Sequence, residues 1–216
     1  MPIDFYVNVS VTGIAFFAGL YSFRNIGRNF KFIVIFTGIA FITETTLTVL
    51  IAWGVKNTMP GLHFYIMVEF LLWTLFYRSM LHPYIRKRLL ASVLLLFELY
   101  VVINMVFIQD LFTMPNLVRS IEGLILVLFS ILLFARIMVE TKYRKLWTEP
   151  VIWINIAVLF YFSGNFFFNI LFNLILEYSK GFSKITVIYF TVLNAFFYLM
   201  IATGFLKARV KNRNHE

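Results

Sequence analysis

The sequence predicts an all-α polytopic membrane protein: a bundle of seven transmembrane helices, N-terminus outside the cytoplasm and C-terminus inside. Three observations predict it. First, 61% of the 216 residues are hydrophobic and only 13% charged, with a mean hydropathy of +0.86. A soluble globular chain keeps roughly a quarter of its residues charged, so this one has too little polar surface to cover itself in water. Second, the chain divides into seven apolar runs, and a helix crosses about 30 Å of hydrocarbon in about 20 residues. Third, the basic residues cluster after every second run.

Segment one runs over about 4–21, with Asp4 as a candidate cap. Segment two covers about 30–53, and segment three about 62–81 after the Pro60-Gly61 turn. Segments four and five cover about 89–108 and 117–139, separated by Pro115-Asn116. Segment six spans about 150–176, with Thr148 as candidate N-cap and Pro150 in the first turn, where proline is tolerated. Segment seven spans about 184–206. Short loops and a short tail remain, so the chain reads as a single membrane domain over 1–216.

Charge sets the orientation. Arg24, Arg28 and Lys31 follow segment one, and Arg78, Arg86, Lys87 and Arg88 end segment three. Arg136, Lys142, Arg144 and Lys145 do the same for segment five, and Lys207, Arg209, Lys211 and Arg213 for segment seven. All but Lys56, Arg119, Lys180 and Lys184 of the 19 basic residues therefore fall on one side, which the positive-inside rule makes cytoplasmic. The expected location is the cell inner membrane, as a multi-pass protein. The net charge of +9 sits in small groups between apolar runs, a pattern of topology and not of nucleic-acid binding. The first run has no basic residues before it and reads as a retained helix, not a cleaved signal.

Glu44, Glu69, Glu98 and Glu122 fall inside segments two to five. A charged side chain at a helix centre costs about 2.5 to 3.5 kcal/mol on insertion scales. Counted at about 1.5 Å per residue, Glu44, Glu69 and Glu98 lie about 10 to 15 Å below the outer end of their spans and Glu122 about 8 Å. Asn165 and Asn194 come out at about 15 to 17 Å on the same count. In segment six Asn155, Asn165, Asn169 and Asn173 share an arc of about 80° that Tyr161 borders. Thr37, Glu44 and Thr48 form a shorter stripe, as do Thr191, Asn194 and Tyr198, and Glu69 shares its face with Tyr65, Trp73 and Phe76. The predicted site is a polar crevice reached from outside and lined by Glu44, Glu69, Glu98, Glu122, Asn165, Asn169 and Asn194.

No buried Lys or Arg is expected to answer the three deeper glutamates, while Arg119 sits at the outer edge where it can snorkel and pair with Glu122. Burial and like charge oppose ionisation, so at least one deep glutamate is expected to hold its proton unless a cationic ligand or metal is present. The competing reading is plain packing: buried Asn and Glu can bond neighbouring helices for about 0.6 to 2 kcal/mol each. Asn155, Asn173 and Thr37 are assigned that role, Gly38 and Gly164 are assigned to close helix contact, and Trp53, Trp147 and Trp153 to the membrane interfaces. His63 is expected near the outer interface in a solvated setting.

Several chemistries fail on their residues. Cysteine is absent, which removes disulfide and thiolate chemistry. Retinal attachment needs a lysine midway down the last helix, where Asn194 stands. His63, His82 and His215 lie on different sides, so a three-histidine zinc site cannot form. Ser130 and Ser163 have no histidine at matching depth for nucleophilic catalysis. No catalytic residue and no cofactor are assigned, and a carboxylate site for a hard cation or two-metal centre stays open.

The run Leu159-Phe160-Tyr161-Phe162-Ser163-Gly164-Asn165, preceded by Trp147 and Trp153, is joined by Asn194 to Tyr198 and by Glu122 with Ser130. Together they resemble the seven-helix membrane domains that precede histidine kinases in Bacteroidetes-type bacteria. The resemblance implies a sensor whose last helix leads into a kinase. This sequence departs from it in ending about ten residues after segment seven, so it would signal through a separate partner or serve another role altogether. No catalytic residue carries over.

The leading expectation is a receptor-like or accessory membrane protein that binds a small molecule or lipid in the polar crevice. Its partners would be membrane lipids, that ligand and a separate signalling protein, with no nucleic acid. A small, proton-coupled transporter working through Glu69 and Glu98 is the alternative, with a membrane-embedded lipid-modifying enzyme as the third reading.

Overall fold

The computed structural model describes residues 3–140, 146–178 and 182–213, with side chains described over 4–140, 146–168 and 185–210. The elements are α1 (Ile3–Ser22), α2 (Arg28–Ala52), α3 (Met59–Met80), α4 (Lys87–Ile103), α5 (Asn116–Glu140), α6 (Pro150–Tyr178) and α7 (Phe182–Arg213). A π-helical turn, Asn104–Ile108, prolongs α4, and a short 3-10 turn, Leu146–Thr148, leads into α6. All seven helices are long and apolar enough to cross a membrane. Their bounds follow the hydropathy reading to within a few residues, except that α7 continues to Arg213. Asp4 sits inside the first turn and does not cap it, because α1 already begins at Ile3; its carboxylate there still favours the helix N-terminus.

Consecutive helices alternate in direction. The start of α1 and the ends of α2, α4 and α6 define an N-terminal face, and the ends of α1, α3, α5 and α7 the opposite one. Six helices close a ring in the order α1, α2, α3, α5, α6, α7, with α7 returning to α1. α4 stands outside this ring and packs mainly on α3. Phe70 of α3 and Phe97 of α4 make that contact, with ring centroids 3.9 Å apart.

The ring interior is aromatic. Phe36 of α2, Trp73 and Tyr77 of α3, Phe162 of α6 and Phe197 of α7 are all buried, and Phe197 lies 6.1 Å from Phe36, 5.9 Å from Trp73 and 6.0 Å from Phe162. Such edge and tilted pairs add about 0.5–1.5 kcal/mol each beyond area burial. Small residues let the helices close on one another. A Cβ on Gly38 would come within 2.8 Å of Phe16, and one on Gly164 within 2.7 Å of the Tyr189 hydroxyl, as close-contact glycines require. At the two interfaces Trp53 and Trp147 are exposed, and Trp153 donates its indole N–H to the Trp147 carbonyl at 2.9 Å.

Asn155 is structural, as its position implied. The Tyr77 hydroxyl donates to Asn155 Oδ1 at 2.8 Å, Asn155 Nδ2 donates to the Ser130 carbonyl at 2.9 Å, and Ser130 Oγ donates to the Asn155 carbonyl at 3.1 Å. This clasp ties α3, α5 and α6 below the aromatic layer. The Thr37 hydroxyl is satisfied within its own helix by the Val34 carbonyl.

Candidate functional site

The centre of the site is a cation that hydropathy placed at the membrane edge. Arg119 lies in the first turn of α5, and its side chain turns inward along the helix. Nη1 reaches Glu69 Oε2 of α3 at 2.6 Å and Glu122 Oε2, one turn further along α5, at 3.3 Å. The expectation that no buried base answers the deep glutamates is therefore corrected for Glu69. A fully extended arginine spans more than one helical turn, so a guanidinium anchored near the helix start can serve a carboxylate well below it. Glu69 and Glu122 retain 2% and 0% side-chain exposure, whereas Arg119 keeps 17% and so remains in reach of solvent.

Around this triad the helices bring tyrosines one turn from their polar partners. Tyr65, four residues before Glu69, lies under the Arg119 guanidinium at 5.7 Å from its ring centroid, within cation–π range. Tyr161 stands four residues before Asn165, stacks on Phe197 at 4.3 Å, and lies in the electrostatic field of Glu69 and Arg119. Glu44 of α2 is half-buried and lies within electrostatic range of Arg119 and Glu69. Tyr198 of α7 is buried and stacks on Phe36 with ring centroids 6.2 Å apart. Two carboxyl groups thus pair with one guanidinium.

A cavity of about 190 Å³ leads to this centre near the N-terminal face. Arg119, Tyr161 and Asn165 supply its polar lining, and Leu62, Phe162 and Phe190 its apolar walls. The Asn165 amide donates one hydrogen bond back to the Tyr161 carbonyl at 2.9 Å, which fixes its orientation against the cavity. Beneath lie Phe162, Phe197 and Trp73, all buried.

The predicted site residues divide as follows. Glu69, Glu122 and Asn165 come together with Arg119, and Glu44 lies within its electrostatic range without pairing to it among the described residues. Glu98 does not join the cavity, because α4 is outside the ring; it approaches Glu122 from the flank, and its two carboxyl oxygens have no hydrogen-bond partner among the described residues. Asn194 is turned to another interface, where its amide donates to Asn8 Oδ1 of α1 at 3.1 Å. The side chains of Asn169 and Asn173 lie outside the described residues. His63 is fully buried, not solvated, because the loop before α5 folds over the start of α3: its Nε2 donates to the Thr113 carbonyl at 3.2 Å, and Asn57 Nδ2 holds the Phe112 carbonyl at 2.8 Å.

The expected pairing of Arg119 with Glu122 is present; its reach to Glu69, with Tyr65 and Tyr161 beside it, is what the sequence reading missed. The signal was present as three one-turn pairs, Tyr65 with Glu69, Arg119 with Glu122 and Tyr161 with Asn165, each on a single helix face. Among the described residues no three His, Asp or Glu side chains gather as a metal site. Compared with known protein families, curated proteins and solved structures, the chain matches none.

Proposed function

We propose that this is a receptor-like or accessory membrane protein that binds the polar end of a small amphipathic molecule above Arg119. The observation that carries the reading is the Arg119–Glu69–Glu122 triad under a cavity whose floor is aromatic. Burying an ion pair is costly and replacing it with apolar side chains is commonly neutral or stabilising. Ionisable groups inside a membrane bundle point to function by default. The volume of about 190 Å³ falls below the roughly 300–1,000 Å³ of pockets that enclose a whole drug-sized ligand. It suits a ligand that inserts a headgroup and leaves its apolar part between the helices. The polar groups that line the cavity are Arg119, Tyr161 and Asn165, while the two paired carboxylates are buried behind the guanidinium, so the favoured headgroup accepts hydrogen bonds from Arg119 and Tyr161.

The basic clusters at the ends of α1, α3, α5 and α7 favour a cytoplasmic position for that face, so the cavity would open outside the cytoplasm of an inner membrane. A transporter would need a path through the layer of Trp73, Phe162 and Phe197, which favours binding over passage.

Native mass spectrometry of the gently extracted protein tests the reading. A defined mass retained by the wild type and lost in Glu69→Gln is expected. An apo mass in both proteins, or retention unchanged by the substitution, would overturn it.

A further inference from the structure

A second groove lies on the flank of the bundle, between the π-helical end of α4 and the start of α5. Its volume is about 810 Å³, within the range of small-molecule sites. It shares only Met114 with the cavity above Arg119. The π-helical turn, a feature frequent at functional sites, carries Asn104 into its lining. Asn104 is fully buried, yet neither its amide oxygen nor its nitrogen has a hydrogen-bond partner among the described residues. Tyr100, one turn earlier, approaches it, but the hydroxyl is likewise outside hydrogen-bonding geometry. Across the groove Asn116 Oδ1 is also unpartnered.

A buried amide left without partners is costly, so this groove is built around polar atoms left without a partner among the described residues. An amide needs both a donor and an acceptor to be satisfied. No Asp, Glu, Lys or Arg lines the groove, so a charged headgroup would find no counter-charge there. The outer wall is Ile108, Leu117 and Leu124, which are 62%, 53% and 45% exposed on the flank of the spanning helices. That is where acyl chains lie.

The geometry points to a lateral binding site for an uncharged bilayer glycerolipid with a free hydroxyl group. Its hydroxyl and ester oxygens meet Asn104 and Asn116, and its acyl chains run along Ile108, Leu117 and Leu124. The hydroxyl donates to an amide oxygen while an ester carbonyl accepts from Asn104 Nδ2, which satisfies both ends of the amide at once.

The test is native mass spectrometry of the full chain released from phosphatidylcholine nanodiscs doped with diacylglycerol or with its O-methyl ether, which lacks the donor. The wild type should retain diacylglycerol about tenfold better than the ether, as one lost hydrogen bond predicts. Asn104→Leu should lower that retention about tenfold, without lowering the melting temperature in detergent, because it removes an unsatisfied group. Leu124→Trp fills the groove from its exposed wall and should act likewise, which keeps the test decisive if Asn104→Leu fails to fold. Glu69→Gln should retain diacylglycerol like the wild type, separating this groove from the Arg119 centre. Equal retention of the two lipids, or wild-type retention by both groove variants, would overturn the site and leave a groove holding water or annular lipid alone.

Discussion

Arg119 Nη1 stands 2.6 Å from Glu69 Oε2, an ion pair that joins the first turn of α5 to the middle of α3 across the inside of the ring. Replacing the arginine leaves two buried carboxyl groups without their counter-charge. Arg119→Met should therefore destabilise the bundle by about 3–5 kcal/mol, the usual consequence of breaking a buried pair from one side. Adding Glu69→Gln and Glu122→Gln to it should recover most of the loss, because no unpaired charge then remains. Unfolding titrations in mixed detergent compare the three proteins; an Arg119→Met variant as stable as the wild type would contradict the pairing.

The Tyr77–Asn155–Ser130 clasp makes a separate prediction. Tyr77→Phe removes the hydroxyl that satisfies Asn155 Oδ1 and leaves that oxygen buried. The expected loss is about 1–3 kcal/mol. Ser130→Ala should cost less, since Asn155 Nδ2 bonds the Ser130 main chain and not its side chain. Thermal melts of the two variants order them.

Glycine substitutions separate close helix contact from open space. A Cβ on Gly204 of α7 would meet Ile154 Cγ1 at 2.7 Å and the Pro150 carbonyl at 3.2 Å, both on α6. Gly204→Ala should destabilise by about 1–3 kcal/mol through overpacking. At Gly61 the nearest atom is Leu47 Cδ2 at 3.6 Å, so Gly61→Ala, within α3, should be neutral or gain up to about 1 kcal/mol from helix propensity. Melting temperatures check both.

Asn165 and Asn194 looked equivalent in depth but do different work. Asn194→Leu breaks the bond to Asn8 and should lower stability by about 0.6–2 kcal/mol while leaving retention of any bound compound unchanged. Asn165→Leu should do the reverse, removing a polar wall of the cavity with little effect on the melt. Native mass spectra and melts recorded on the same two variants make the comparison.

These contrasts mark what the sequence discloses. The seven spans were legible because each is a long apolar run bounded by charge or by Pro and Gly, and bilayer thickness fixes its length. The polar layer was legible through depth counting alone, which found Glu69, Glu122 and Asn165. Depth does not say which helices adjoin, and α4 carries an apolar run like the others, so nothing in Glu98 announced that its helix stands outside the ring. Depth counts also follow Cα positions, so Arg119 was matched to Glu122, which it does bond, but not to Glu69, to which its long side chain reaches down from its backbone. Asn194 was assigned to the crevice for want of any sign that Asn8, on α1, would meet it.

The absence of cysteine from the chain allows the most direct test of the account: single-cysteine labelling in sealed vesicles with a membrane-impermeant thiol reagent. Asn165→Cys, on the cavity wall, should react from the N-terminal side and be silent from the other, while Ala157→Cys, fully buried toward the opposite face, should react from neither. Labelling of Asn165→Cys from the side of the basic clusters, or of Ala157→Cys from either side, would contradict a one-sided cavity closed by its aromatic floor.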